Sequence, residues 1–365
     1  MSAPSQAAAP QPAAAEEAPL LEVTDLAVEF RTGEGTVRAV DGLSYRVEAG
    51  RTLAIVGESG SGKSVSSLAV MGLLPPTAHV TRGSARLAGT DLLALRPRQH
   101  RAYCGERVAM VFQDALAALN PVHTVGYQLT EALRARRGLS RADARARAIE
   151  LLDLVKVPNA KARVKEYPHQ FSGGMRQRVM IASALAMDPE VLIADEPTTA
   201  LDVTVQAQVL QLLAEIQAER KMGLVLITHD LGVVAGVADD VTVMYAGRAV
   251  EQAPVGPLYA APAHPYTRAL LRSIPSATMR GTPAPSAAGG GAALPRRLPV
   301  IPGRPPSPAA RPSGCPFHPR CDVAQDVCRT QDPPLARPAP DRLSACHFAA
   351  DVLAGRAPET GGTHD

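Results

Sequence analysis

Apolar and polar residues alternate over residues 21 to 30 (LEVTDLAVEF) and again over 36 to 49 (TVRAVDGLSYRVEA), with Gly33 and Gly35 between the two runs. A period of two on either side of a glycine turn predicts antiparallel strands and a β-rich entry layer. The run TLAIVG at 52 to 57 is short and almost wholly apolar; a glycine-rich loop follows, then an apolar helical stretch that stops at Pro75 and Pro76. This predicts a buried strand, a loop and a helix. From about Val122 to Ala186 the pattern turns helical and Arg-rich, as in RARRGLSRADARARAIELLDLV, before strand character returns at VLIADE (191 to 196) and LVLITHD (224 to 230). The expected fold class is therefore α/β, with an antiparallel β subdomain and a helical insert, at about 114 to 186, splitting the core.

No apolar run approaches the ~18 residues of a membrane-spanning helix. Residues 1–19 are rich in Ala and Pro, carry Glu16 and Glu17, and lack the basic start and apolar core of a secretion signal, so a disordered tail is expected there. A Pro-, Ala- and Gly-rich stretch without periodicity predicts a linker at 276–298 between a main domain at 20–275 and a Cys-rich segment at 299–350, with a second tail at 351–365. That Cys-rich segment is too small for a substantial apolar core of its own, so something other than burial is expected to staple it.

Composition narrows the partners little. With 46% hydrophobic residues and a formal charge of +3, the chain is long enough for a large core and too near charge balance to argue for a nucleic-acid partner. Arg134, Arg136, Arg137, Arg141 and Arg145 read as a solvated helix face, with a partner-facing or membrane-facing role as the alternative. Of the five cysteines, Cys104 stands apart and reads as an ordinary thiol. Cys315, Cys321, Cys328 and Cys346 gather in the C-terminal segment, where metal or cluster binding outranks disulfides. Four thiolates suit tetrahedral zinc or an iron–sulfur cluster. The gaps between these cysteines differ from the paired knuckles that structural zinc favours.

The sharpest chemical signal is Gly57-Glu58-Ser59-Gly60-Ser61-Gly62-Lys63-Ser64, a G-x-x-x-x-G-K-[ST] loop between a predicted strand and a predicted helix. Its glycines let backbone N–H groups turn in on phosphate oxygens, Lys63 supplies a positive charge to the β- and γ-phosphates, and Ser64 can ligate Mg²⁺. Gly57, Ser59, Gly60, Ser61, Gly62, Lys63, Ser64 and Ser66 are accordingly the candidate ATP-binding and Mg²⁺-binding residues here. In VLIADE a strand delivers two carboxylates at its C-terminal end, where open α/β sheets place their ligands. Asp195 is expected to hold Mg²⁺, and Glu196 to act as general base toward the attacking water.

Between these motifs lies Phe171-Ser172-Gly173-Gly174-Met175-Arg176-Gln177-Arg178, which resembles the signature sequence of the ATP-binding cassette (ABC) ATPases. Gln113 in VFQD resembles that family's Q-loop, Ala200-Leu201-Asp202 its D-loop, and His229 its switch histidine, while Phe30 sits where the family stacks an aromatic on adenine. The phrases HQFSGGMRQRVMIASALAMDPEVLIADEPTTALDVTVQAQVL, HPYTRALLRSIP and GCPFHPRC closely resemble the dipeptide and oligopeptide importer members, over about residues 20 to 350.

That resemblance implies an ATPase energising peptide import, with Glu196, His229 and Lys63 as catalytic residues. It also implies that Ser172, Gly173, Gly174 and Asp202 complete the site of a partner subunit. The partners implied are a second, related ATPase, two membrane permeases and an extracellular peptide-binding protein, and the implied location is the cytoplasmic face of the membrane. Nickel-importer ATPases share the core, and a weakly hydrolysing half of an ATPase pair is a further alternative. The same resemblance implies a four-iron, four-sulfur cluster on Cys315, Cys321, Cys328 and Cys346, with zinc as the alternative.

Overall fold

The computed structural model describes residues 18–33, 35–199, 201–274 and 300–356. Its first strands are β1 (Leu21–Thr32), β2 (Gly35–Val47), β3 (Thr52–Val56), β4 (Ala78–Leu87), β5 (Thr90–Asp91) and β6 (Val108–Val111). The later ones are β7 (Val191–Asp195), β8 (Gly223–Thr228), β9 (Asp240–Tyr245), β10 (Arg248–Pro254), β11 (Ala336–Ala339) and β12 (Arg342–Ser344). The linker, most of the N-terminal tail, the last nine residues and Ala200 lie outside the described residues.

The alternating runs form a four-stranded antiparallel sheet in the order β2-β1-β4-β5, with Leu21 opposite Val47 and Phe30 opposite Val37. The wholly apolar runs behave differently. All five residues of β3 and of β7, and all six of β8, are buried, as expected for parallel strands covered on both faces. They lie in an eight-stranded sheet of order β11-β12-β10-β9-β3-β8-β7-β6, parallel from β9 to β6 and antiparallel beyond.

The insert comprises the helices Val125–Arg137, Arg141–Leu154 and Gly173–Leu185, started by the side chains of Thr124, Ser140 and Ser172, each of which accepts a backbone N–H. Leu129, Leu133, Leu151 and Leu152 are buried in one cluster with Ile181 and Leu185 of the third helix and with Leu192 and Leu226 of the sheet. At about 1.5–3 kcal/mol for each such side chain, this burial fixes the insert to the core. The arginine face is partly paired: Arg136 reaches Glu106 at 2.9 Å, and Arg137 and Arg147 both reach Asp188. Arg134, Arg141 and Arg145 are exposed.

The C-terminal segment is not a separate appendage, and this corrects the sequence expectation. Strand β12 pairs with β10, setting Glu251 opposite Ser344, so the segment extends the core sheet. Phe317, Cys315 and Cys328 join Tyr245, Tyr266 and Leu258 in a common apolar cluster. Burial against the main body therefore holds the segment, which needs no apolar core of its own. Glu251, fully buried, accepts the backbone N–H groups of Ala263 (2.7 Å) and His264 (3.0 Å) and fixes the turn that follows β10. The last helix, Ala349–Leu353, runs into the stretch expected to be a tail. Among the described residues no helix is long and apolar enough to cross a membrane.

Candidate functional site

The phosphate loop leaves β3 and enters the helix Lys63–Val70 beside a cleft of about 570 Å³. Two glycines are required by space. A Cβ on Gly57 would stand 2.2 Å from the Met244 carbonyl oxygen, and one on Gly62, whose φ is +98°, would stand 2.5 Å from that of Ala39. Residues 57 to 65 line the cleft together with Gln113, Glu196, His229 and Leu270. Lys63 is buried, and its Nζ donates to the carbonyls of Gly57 (2.7 Å) and Glu58 (3.0 Å). Burial pulls its pKa down, against the opposing charges of Glu196, Asp195 and Glu58.

Ser64 Oγ donates to Asp195 Oδ1 at 2.9 Å. A hydroxyl and a carboxylate side by side are the hard oxygen donors that Mg²⁺ prefers, so the pair fits the ion implied by the loop. Burial raises the Asp195 pKa, helped by the Glu196 charge and opposed by the Ser64 hydrogen bond and by Lys63. Glu196 has a left-handed φ of +45°, which turns its side chain off the strand direction. Its Oε2 accepts from Gln113 Nε2 and Thr199 Oγ1, both at 2.9 Å, and its Oε1 faces His229 Nδ1 at 3.2 Å. Three residues singled out separately in the sequence, Gln113, Glu196 and His229, thus meet at one carboxylate, and Thr199 joins them unforeseen.

Other candidates stand apart from this cleft. Ser66 is fully buried and its hydroxyl donates to the Lys63 carbonyl at 2.6 Å, which places it inside the helix rather than on the loop. Phe30 lies on β1 between Val37 and Ala78, half-buried against the β-layer core. Ser172 caps the helix Gly173–Leu185, accepting from Met175 N, and is exposed with Gly173. Gly174 packs against Val205, which would stand 2.5 Å from a Cβ there. Asp202 caps the neighbouring helix Val203–Arg220 by accepting from Val205 N at 3.0 Å. The Ser172–Gly174 and Leu201–Asp202 segments therefore lie beside each other, and neither lines this chain's own phosphate cleft.

Cys315, Cys321, Cys328 and Cys346 line a single small cavity with Phe317, Val323 and Phe348. Burial pushes the Cys321 thiol up to about 12 and Cys346 up to about 11. Among the described residues no three His, Cys, Asp or Glu side chains are arranged to hold a metal ion. The four donors expected for the cluster or zinc share this one cavity without being drawn together as a ligand group. Cys104 is half-buried beside His100 (3.6 Å), its thiol pushed up to about 11 by burial, as an ordinary packed thiol would be.

A phosphate loop, a Ser–Asp pair of hard oxygen donors, a carboxylate contacted by a glutamine and a histidine, and an exposed Ser-Gly-Gly helix start are together what an ATPase of the ABC class presents. Residues 40–199 match the family described as ABC transporter, and residues 250–328 match the oligopeptide/dipeptide transporter C-terminal region. The chain is 47% identical over 345 residues to the oligopeptide transport ATP-binding protein OppD of Salmonella typhimurium, covering 94% of this chain and 97% of that one. It is 47% identical over 332 residues to the dipeptide transport ATP-binding protein DppD of Escherichia coli, covering 91% and 97%. Among solved structures, the dimeric ATP-binding cassette MJ0796 in a post-hydrolysis state with ADP and Pi is similar at a TM-score of 0.58 and 26% identity, covering 64% of this chain and 98% of that one. The chain belongs to the ATP-binding proteins of the oligopeptide and dipeptide ABC transporters.

Proposed function

We propose that this chain binds and hydrolyses ATP to energise import of oligopeptides or dipeptides, working at the cytoplasmic face of a membrane with two permeases, an external peptide-binding protein and a second ATPase subunit. The observation that carries the reading is the convergence of Gln113 and His229 on Glu196 across the cleft from Lys63. Lys63 and the inward N–H groups of the loop hold the β- and γ-phosphates. Glu196 takes the proton of the attacking water, while Gln113 and His229 orient its carboxylate. Mg²⁺, when held by Ser64 and Asp195, neutralises developing phosphate charge.

The exposed Ser172–Gly174 helix start, with its N–H groups and positive dipole end, is suited to the γ-phosphate bound by a facing subunit, so hydrolysis requires a pair of cassettes. A related rather than identical partner is the arrangement proposed. Reconstituting the chain with its permeases and binding protein in vesicles tests the reading. ATP turnover should rise when peptide is supplied and accumulate peptide inside; turnover that responds to another solute and not to peptide would refute the cargo assignment.

For the thiol cavity the proposal is a four-iron, four-sulfur cluster held by the four cysteines, supported by their sharing one cavity. Iron and acid-labile sulfide, about four of each per chain after anaerobic purification, are the expected outcome; stoichiometric zinc or no metal would overturn it.

A further inference from the structure

One residue of the phosphate loop is gripped from outside the loop. Arg320, buried in the C-terminal segment, makes a forked ion pair to Glu58: Nη1 to Oε2 at 2.6 Å and Nη2 to Oε1 at 2.9 Å. Its third nitrogen, Nε, donates to the Pro302 carbonyl at 2.9 Å, and Nη1 also reaches Tyr245 OH at 3.3 Å. The guanidinium lies over the rings of Tyr245 and Phe317, at 5.8 and 5.9 Å. From the other side, the fully buried Tyr266 offers its hydroxyl oxygen to the Glu58 N–H at 2.9 Å. Glu58 is thus fixed at its side chain and at its backbone by two residues beyond β10. Its remaining backbone group, the carbonyl, is one of the two acceptors of Lys63 Nζ.

We propose that Arg320, assisted by Tyr266, is a positioning residue for the phosphate loop, so that the C-terminal segment sets the affinity for ATP. The inference rests on the ATPase reading of the cleft. The physical reason is preorganisation. A loop of glycines and serines has many conformations when empty, and only the one that aims its N–H groups and Lys63 inward binds phosphate. Observed affinity falls by the fraction of time spent in that conformation. A planar forked guanidinium held by an aromatic pair and a backbone carbonyl fixes Glu58 in angle as well as distance, which a lysine cannot do. Once ATP is bound, the phosphates themselves order the loop. Loss of the grip therefore appears in binding more than in turnover at saturation.

The test is a double-mutant cycle in the full-length chain, reading MgATP affinity with a fluorescent ATP analogue and turnover in the assembled transporter. Arg320→Gln and Glu58→Gln should each weaken MgATP binding about tenfold while turnover at saturating ATP falls less than about threefold. The double variant should be no weaker than either single one, since both remove the same contact. Arg320→Lys should fall between wild type and Arg320→Gln. A merely structural arginine would lower the melting temperature and leave the affinity of folded protein unchanged. Single variants with affinity within about twofold of wild type, or a double variant showing the product of the two losses, would overturn the proposal. Should Arg320→Gln not fold, Glu58→Gln decides alone, because it leaves the aromatic packing of the C-terminal segment intact. Wild-type protein that bound no MgATP would instead refute the ATPase reading itself.

Discussion

Replacing Glu196 by glutamine separates the chemistry of the carboxylate from its place in the fold. The carboxylate receives Gln113 and Thr199 on Oε2 and faces His229 Nδ1 with Oε1. A glutamine carbonyl set where Oε2 stands keeps both of the first hydrogen bonds, and its NH₂ can donate to His229 Nδ1, which accepts in the neutral tautomer. All three contacts survive, so the melting temperature should stay within about 2 °C of wild type. What is lost is the basic lone pair. A positioned general base contributes about 10²- to 10⁴-fold, equivalent to about 3–5 kcal/mol of barrier, and kcat should fall by that factor. ATP binding should be unchanged or tighter, because one negative charge that opposes the triphosphate has gone. Single-turnover hydrolysis and equilibrium binding of MgATP, measured on the same preparation, give the two numbers. If hydrolysis fell less than about tenfold, another group would be the base; if affinity fell in step with turnover, Glu196 would be building the site and not doing its chemistry.

Removing the Lys63 ammonium as Lys63→Ala should cost at least about 10²-fold in turnover, because a preorganised charge on the phosphates is lost, and ATPase assays of the assembled complex check this. Gly57→Ala forces a Cβ to 2.2 Å from the Met244 carbonyl and 2.9 Å from Ser61 Oγ. Thermal denaturation should show a loss of about 1–3 kcal/mol, and nucleotide binding should fail with it. Ser172→Arg changes an exposed helix cap beyond the cleft, so photolabelling of this chain by an ATP analogue should persist while turnover in the transporter drops more than about tenfold.

How far the sequence reveals this molecule depends on how local the controlling physics is. The phosphate loop, the strand ending in Asp195 and Glu196, and the helical insert were legible because each is set by neighbours in the chain: glycines that free the backbone, apolar runs that bury, polar residues that cap. Even the boundaries follow this rule. The strand expected over residues 191 to 196 is observed as Val191–Asp195, and the one over 224 to 230 as Gly223–Thr228. Gln113 and His229 were legible as single residues through family resemblance, yet their meeting at Glu196 depends on the order β3-β8-β7-β6, which no periodicity encodes.

The C-terminal segment marks where local reading stops. Its proline- and cysteine-rich composition reads as a stretch in need of a staple, because local apolar content is all that composition can weigh. In the fold, β12 closes onto β10, and this carries Phe317 and Cys315 into an apolar cluster already begun by Tyr245 and Tyr266. Arg320, within GCPFHPRC, reads in isolation as a surface cation. It is buried because its partner, Glu58, lies 262 residues earlier. A guanidinium can be buried at acceptable cost only where its nitrogens meet acceptors, and here a carboxylate, a carbonyl and a phenol oxygen receive hydrogen bonds from all three of them. The same requirement makes the contact directional: any shift of the segment that moves Arg320 must either drag Glu58 with it or leave a charge unpaired. An arginine with that constraint couples two distant parts of the chain mechanically, which is why its effect belongs in nucleotide affinity and not only in stability.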